Sequence, residues 1–168
     1  SMSSFLSRFL ITSENKFLLP KRIILVRHGE SLGNEDESAY SKIPDRKIGL
    51  TNRGEQQSKQ AGQDLAELCR GERLFTYVSP YDRPMQTWQF MKEELQAPKS
   101  GETLVTLIGT RQEPRIAEQQ FGNFQDPGKV QMAKEERRNF GRFFFRFPNG
   151  ESGLDVYNRA TSFLSTLG

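Results

Sequence analysis

The sequence has 168 residues, of which 35% are hydrophobic and 27% are charged, and its formal net charge is +3. This composition indicates one soluble globular domain and excludes a disordered chain, and no apolar run reaches the ~20 residues that a membrane-spanning helix needs. The basic balance favours anionic ligands, but the sequence holds no nucleic-acid-binding motif, which argues against a partner of that class.

Cys69 is the single cysteine, so the sequence excludes an intramolecular disulfide and favours a reducing compartment, which predicts a cytoplasmic protein. Residues 1–19 are predicted to form an N-terminal arm that packs a few apolar side chains on the domain, and a targeting segment or a cloning remnant is the alternative. Residues 20–168 are predicted to form the domain itself.

The chain then alternates between strand and helix patterns. Ile23 to Val26 are four consecutive aliphatic residues, which predict a strand buried on both faces. A long polar loop follows, and Thr51 is predicted to cap a helix with small and apolar residues at helical spacing. Leu74 to Val78 predict the second strand.

Ser79-Pro80 predicts the start of the next helix, with the serine as its cap and the proline as its first residue. The buried face of this helix is predicted from four residues at helical spacing: Met85, Trp88, Met91 and Leu95. Thr103 to Ile108 predict the third strand. Because strands and helices alternate, the sequence predicts a layered α/β fold.

The pattern from Val130 to Phe147 is helical, and its phenylalanines at helical spacing predict a buried aromatic stripe. The stripe consists of Phe140, Phe143, Phe144 and Phe147. Pro148-Asn149-Gly150 ends that helix, and Leu154 to Leu167 predict the last one.

Arg27-His28-Gly29 follows the first predicted strand, at the carboxyl end where α/β proteins place ligands. Gly29 allows a close approach of the backbone, and Arg27 offers a planar fork for phosphate oxygens. His28 is the only histidine in the sequence. We interpret the triplet as an anion site, and a structural histidine at a strand end is the alternative.

Two further residues point to the same anion. Arg83 lies in the first turn of the helix predicted after Ser79-Pro80, and the free N–H groups of a helix N-terminus favour a bound phosphate. Glu118 lies in a polar loop after the third predicted strand, where a carboxyl group can act as general acid or base. Each feature has a structural alternative when taken alone: an ordinary helix start and a solvated loop glutamate.

Together these features resemble the histidine phosphatase superfamily, also called phosphoglycerate-mutase-like. Within it the sequence is most similar to the mutase-like proteins of plants and fungi. The resemblance runs from Lys21 to Leu167. It implies a three-layer α/β/α fold with a mostly parallel sheet, and a cap region at residues 123–148 that shapes the mouth of the pocket. Further matching residues are Ser31, Asn34, Leu50-Thr51, Gly54, Gln57, Gln86-Thr87, Phe121-Gly122, Gly150-Glu151-Ser152, Asp155 and Arg159.

The resemblance also implies roles for individual residues. His28 attacks phosphorus and becomes a phosphohistidine, while Arg27 and Arg83 hold the equatorial oxygens. Glu118 protonates the leaving oxygen and then activates water. No metal or other cofactor is needed, because positioned cations and donors stabilise the charge. The implied substrate-binding residues are Gly29, Ser31 and Asn34.

The sequence departs from the family pattern in three places. It holds no second histidine, which the family places in a His-Gly pair on a later strand. We therefore interpret the chain as a piece of a longer protein, a natural short form or a non-catalytic descendant, and the exposed sheet edge predicts a homo-oligomer. Pro84 predicts a shifted helix start, and Gln119 stands where the mutases carry a substrate-binding arginine.

The favoured function is metal-independent hydrolysis of a phosphorylated small molecule or other phosphomonoester through a phosphohistidine on His28, weak or lost without the second histidine. A non-catalytic anion-binding module is the alternative, and a phosphoglycerate mutase is a further one. Four arginines of the cap region favour a substrate with several acidic groups, with a solvated helix face as the alternative: Arg137, Arg138, Arg142 and Arg146.

Overall fold

A computed structural model describes residues 20–96, 104–122 and 126–167. The N-terminal arm predicted at residues 1–19 lies outside these ranges. In chain order the helices and strands are α1 (Leu32–Glu35), α2 (Ala39–Lys42), α3 (Asn52–Leu68), β1 (Arg73–Val78), α4 (Asp82–Gln96), β2 (Thr106–Gln112), α5 (Pro127–Phe140) and α6 (Gly153–Leu164). Short 3₁₀ turns lie at Asp45–Lys47 and Pro114–Ile116.

The sheet consists of β1 and β2, which pair in parallel from Arg73 opposite Thr106 to Val78 opposite Gln112. The strand predicted at Leu74 to Val78 is confirmed. The strand predicted at Thr103 to Ile108 is found at Thr106–Gln112, and Thr103 itself lies outside the described residues.

Helices cover both faces of this sheet, as the predicted α/β fold requires. Leu74 and Val78 of β1 pack into the main core with α3 and α4. Tyr77 points to the opposite face, because side chains alternate along a strand, and its ring lies 4.9 Å from that of Phe163 in α6. The helices and the parallel sheet are therefore arranged in layers.

The strand predicted at Ile23 to Val26 is wrong for the described residues. This segment pairs with no strand, and Ile23, Leu25 and Val26 are 55%, 92% and 50% exposed. Ile24 still packs against the core. A strand needs hydrogen-bonding neighbours as well as apolar side chains, and within the ranges above none lies beside this segment. The predicted homo-oligomer through the exposed sheet edge stays a prediction.

The helix predicted after Ser79-Pro80 begins at Asp82. Pro80 is therefore not its first residue, whereas Pro84 lies in its first turn, where the missing N–H needs no intrahelical partner. The shift predicted from Pro84 is observed. Trp88, Met91 and Leu95 are buried as predicted; Met85 is partly buried and packs against the same core.

The aromatic stripe predicted from Phe140 to Phe147 is also wrong. Helix α5 ends at Phe140, because Gly141 has a φ of 109° and its N–H closes the last turn on Arg137. Because the chain is not helical beyond Phe140, the spacing of the later phenylalanines does not place them on one face. Phe147 is buried, but three of the four rings are exposed: Phe140, Phe143 and Phe144.

Helix α3 begins where predicted, since the Thr51 side chain accepts a hydrogen bond from the N–H of Gly54. Its small residues allow a close approach to α4. A Cβ added at Gly62 would lie 2.8 Å from the backbone of Met91. In the described part of the chain, no helix combines the length and apolar character required to cross a membrane.

Replacing Gly62 by alanine is expected to lower the free energy of unfolding by about 1–3 kcal/mol, because the added methyl group meets backbone that cannot move aside. Chemical denaturation measures the change. The control is Gly128→Ala in α5, where the nearest atom to the added Cβ is a side-chain oxygen 3.4 Å away. Equal stability of the two variants would contradict the proposed contact between the helices.

Candidate active site

The loop that carries His28 is packed tightly on the N-terminus of α3. The N–H of Gly29 donates to the Thr87 hydroxyl at 3.1 Å. A Cβ at Gly29 would lie 2.4 Å from the carbonyl oxygen of Gly54, and one at Gly54 would lie 2.0 Å from that of Glu30. Glycine is therefore required on both sides of this contact.

Glu30 also connects the His28 loop to α3. Its N–H donates to the side chain of Gln57 at 2.8 Å, and its carbonyl accepts the N–H of Thr51 at 3.0 Å. The Thr51 hydroxyl also donates to the Glu30 carboxylate at 2.9 Å. The helix cap of α3 thus fixes the backbone next to His28.

The His28 ring is oriented by its own loop. Its Nδ1 lies 2.7 Å from the carbonyl oxygen of Gly29. Because a carbonyl only accepts hydrogen bonds, Nδ1 donates this one, so in the neutral ring Nε2 is the nitrogen with the lone pair. Nε2 lies 3.9 Å from Oε2 of Glu118, and the side chain is 12% exposed. The ring therefore places Nε2, and not Nδ1, next to the Glu118 carboxylate.

Arg83 is the buried cation of the site, with 1% of its surface exposed. Its Nη1 donates to the carbonyl and to the carboxylate of Asp45 at 2.8 and 2.9 Å. Its Nη2 donates to Oε2 of Glu118 at 2.7 Å. The guanidinium also lies 5.1 Å from the ring centre of Tyr81. Two carboxylates from separate loops therefore neutralise one arginine.

Burial and neighbouring charges shift the pKa values of Asp45 and Arg83. It raises the pKa of Asp45 above the ordinary value, and the charge of Arg83 only partly offsets that rise. Burial lowers the pKa of Arg83, but the hydrogen bond that it donates to Glu118 and the charge of Asp45 outweigh this effect, so the net shift is upward. Arg83 is permanently charged.

Helix α6 holds the loop that carries Glu118. Arg159 donates to the carbonyl oxygens of Arg115 and Glu118 at 2.7 and 3.2 Å. Its guanidinium is held in turn by both oxygens of Glu151, each at 3.0 Å. Although burial raises the pKa of Glu151, hydrogen bonds from Arg159 and from the Gln120 N–H lower it overall. The Glu118 backbone is therefore fixed from α6.

Arg115 gives the loop a second anchor. It donates through Nε and Nη2 to the carboxylate of Glu113 at 2.8 and 2.7 Å, and through Nη1 to the carbonyl of Ser162 in α6 at 3.1 Å. These hydrogen bonds lower the pKa of Glu113 to about 2.

Asn34 and Ser31 form a local unit at the start of α1. The N–H and the hydroxyl of Ser31 both donate to Oδ1 of Asn34 at 3.0 Å. Ser31 is fully buried, whereas Asn34 is exposed. Arg27 is exposed and makes no hydrogen bond or ion pair with any described residue. The substrate-binding roles of Gly29, Ser31 and Asn34 stay predictions.

A cavity of about 470 Å³ lies beside these groups. Asn34, Asp45, Arg83 and Glu118 line it together with residues of α5, whereas His28 is not among the lining residues. Across residues 20–96, 104–122 and 126–167, no group of three His, Cys, Asp or Glu side chains is placed to hold a metal ion.

Among the candidate residues, the structure brings together His28, Arg83 and Glu118, which lie far apart in the sequence. Asp45 was missed, because a lone aspartate in a polar loop has no local signature. Arg159 and Glu151 appeared only within the family resemblance, and the structure shows that they support Glu118.

With the geometry in place, comparison with known families identifies the class of protein. Residues 23–168 match the histidine phosphatase superfamily, branch 1. The chain belongs to this superfamily, as the resemblance indicated.

Individual relatives agree with this assignment. A phosphoglycerate mutase-like protein of Arabidopsis thaliana is 47% identical over 161 residues, which cover 90% of this chain and 55% of that protein. A broad-range acid phosphatase of Saccharomyces cerevisiae is 26% identical, over 88% of this chain and 69% of the yeast protein. The chain spans about half the length of its Arabidopsis relatives.

Solved structures show the same fold. A mycobacterial glucosyl-3-phosphoglycerate phosphatase superimposes with a TM-score of 0.59 at 21% identity, and the match covers 84% of this chain and 61% of that one. The predicted α/β, phosphoglycerate-mutase-like fold is therefore confirmed.

Replacing Glu113 by glutamine tests the anchor beneath Glu118. The pKa of Glu113 is about 2 in the folded chain, below its ordinary 4.5, so its charge stabilises the fold above about pH 4.5 and this contribution is lost as the pH falls through 2. We expect the variant to unfold at lower urea than the wild type at pH 7, and the gap to close between pH 4.5 and 2.

The control is Glu67→Gln, which removes an exposed partner of Arg70. It should shift the urea midpoint little at pH 7, because exposed pairs contribute little. A gap for Glu113→Gln that persists at pH 2 would show that the glutamate acts through its shape and not through its charge.

Proposed function

We propose that this chain carries out metal-independent hydrolysis of phosphomonoesters through a phosphohistidine on His28. The observation that carries the proposal is the position of Glu118, whose Oε2 lies 2.7 Å from Nη2 of Arg83 and 3.9 Å from Nε2 of His28. A nucleophile, a fixed cation and an acid–base group thus come together, and the last two line the cavity. The acid phosphatase activity named for the yeast relative supports the same chemistry.

In the first step, the lone pair of His28 Nε2 attacks phosphorus as the bond to the leaving oxygen breaks. Glu118, which takes up a proton from solvent once the phosphate has displaced it from Arg83, gives that proton to the leaving oxygen. In the second step, Glu118 takes a proton from water, the water oxygen attacks phosphorus, and the P–N bond breaks. Orthophosphate leaves, and both side chains return to their starting states.

The phosphoryl oxygens need cations while the charge shifts. Arg83 is fixed by Asp45 and supplies one guanidinium, and Arg27 supplies a second, exposed one beside the nucleophile. Nη2 of Arg83 donates a hydrogen bond to Glu118. A phosphate that binds Arg83 therefore displaces Glu118, which frees its carboxyl group for the leaving oxygen.

Phosphatase chemistry is favoured over mutase chemistry by Gln119. This residue stands where the mutases carry a substrate-binding arginine, and its amide donates to the backbone of Glu151 at 2.9 Å. It does not line the cavity.

A non-catalytic anion-binding module is the alternative function. It is favoured by the complete neutralisation of Arg83 by two carboxylates. As part of the proposal we place the protein in the cytoplasm, because Cys69 is its single cysteine and is buried as a free thiol.

His28→Ala tests the nucleophile. We expect phenyl phosphate hydrolysis at mildly acidic pH to fall at least about 10³-fold, because no other side chain replaces Nε2. In the wild type, ³²P-labelled substrate quenched in base should leave label on the protein as phosphohistidine. Gln89→Ala, an exposed position on α4, is the control. Equal rates in the wild type and His28→Ala would contradict the proposed hydrolysis and favour the anion-binding module. Isomerised phosphoglycerate without released phosphate would indicate a mutase.

Glu118→Gln tests the general acid. The variant should release phenol from phenyl phosphate about 10²–10⁴-fold more slowly, since phenolate is a poor leaving group without a proton. The rapid first turnover of 2,4-dinitrophenyl phosphate should be much less affected, because its leaving group needs no proton. Stopped-flow absorbance measures both. Equal slowing of the two esters would show that Glu118 is not the general acid.

A further inference from the structure

Helix α5 contributes cationic side chains to the cavity that two of the proposed catalytic groups line. Lys134 and Arg137 of α5 line it together with Arg83 and Glu118. The cavity volume of about 470 Å³ is enough for a small ligand that touches both pairs of side chains. The two pairs differ in how their charges are balanced.

Arg137 is held by aromatic rings and not by carboxylates. Its guanidinium lies 5.7 Å from the ring centre of Phe121 and 5.4 Å from that of Phe147. Phe147 is 1% exposed, so the rings form a fixed support. Stacking on aromatic faces leaves the N–H groups at the edge of the guanidinium available for a ligand.

The hydrogen-bonding capacity of Arg137 is unused within the described part of the chain. Its Nε is buried and has no hydrogen-bond partner there, and no carboxylate pairs with the guanidinium. Arg83, by contrast, is paired with two carboxylates. Lys134 is paired only with Glu37, which is 80% exposed, at 3.1 Å. Within the described residues, Arg137 is therefore the cavity cation that has no carboxylate partner.

The other cap arginines do not share this position. Arg146 pairs with Asp155 at 2.7 Å, and neither Arg138 nor Arg142 lines the cavity. Of the four arginines that the sequence singled out, Arg137 is the one at the cavity.

We infer that Arg137, assisted by Lys134, binds a second anionic group of the substrate. Resting on the proposed function, this inference narrows the substrate class to phosphomonoesters with a carboxylate or a second phosphate remote from the scissile one. The scissile phosphate lies at His28 and Arg83, and the second anion makes charge-assisted hydrogen bonds with Arg137.

The test compares 4-carboxyphenyl phosphate with 4-carbamoylphenyl phosphate, which has nearly the same shape without the charge. A third ester, 1,4-phenylene bisphosphate, carries a second phosphate in place of the carboxylate. We expect kcat/KM of the wild type to favour the charged esters about 10-fold or more. Arg137→Gln should bring the ratio close to one, and Arg137→Lys should restore part of it. Arg138→Gln, exposed on the same helix, should leave the ratio unchanged.

A ratio that Arg137→Gln leaves unchanged, or no preference in the wild type, overturns the inference. A purely structural role would lower kcat/KM of charged and neutral esters alike. If the wild type hydrolyses none of the esters, the proposed function fails. The corresponding benzylphosphonates then decide the inference by calorimetry: tighter binding of the carboxylated phosphonate, lost in Arg137→Gln, supports it, and equal binding of both overturns it.

Discussion

The buried guanidinium of Arg83 is the constraint on which the site depends. Removing a charge from water costs several kcal/mol unless carboxylates and hydrogen bonds compensate it. Arg83 is 1% exposed, and its compensation comes from Asp45 and Glu118, which lie 38 and 35 residues away along the chain. The loop after His28, the start of α4 and the loop after β2 must therefore converge on this one side chain.

The surrounding structure makes that convergence rigid. Gly29 and Gly54 bring the His28 loop against α3 at a distance that no larger residue allows. On the other side, Arg159 holds the Glu118 backbone from α6. Both supports act through backbone atoms, so they fix the main chain at His28 and Glu118, and in the proposed mechanism only the Glu118 side chain moves when a phosphate binds.

Local signals predicted the parts of the fold whose causes are local. Thr51 caps α3 through a hydrogen bond within four residues, and the buried face of α4 follows from helical spacing. The failures arise where a local pattern depends on something distant or on one special residue. Ile23 to Val26 is apolar enough for a strand but has no pairing partner in the described residues. Gly141 ends α5 in spite of the phenylalanine spacing beyond it.

The sequence by itself determined the chemical groups: His28, Arg83 and Glu118 were recognisable from residue type, neighbours and order, since those are properties of short segments. Only the tertiary structure decided how their charges are shared. It paired Arg83 with Asp45, and it placed Arg137 against two aromatic rings without a carboxylate. Burial and long-range pairing set these energies, and they are properties of the folded chain, which no short segment contains.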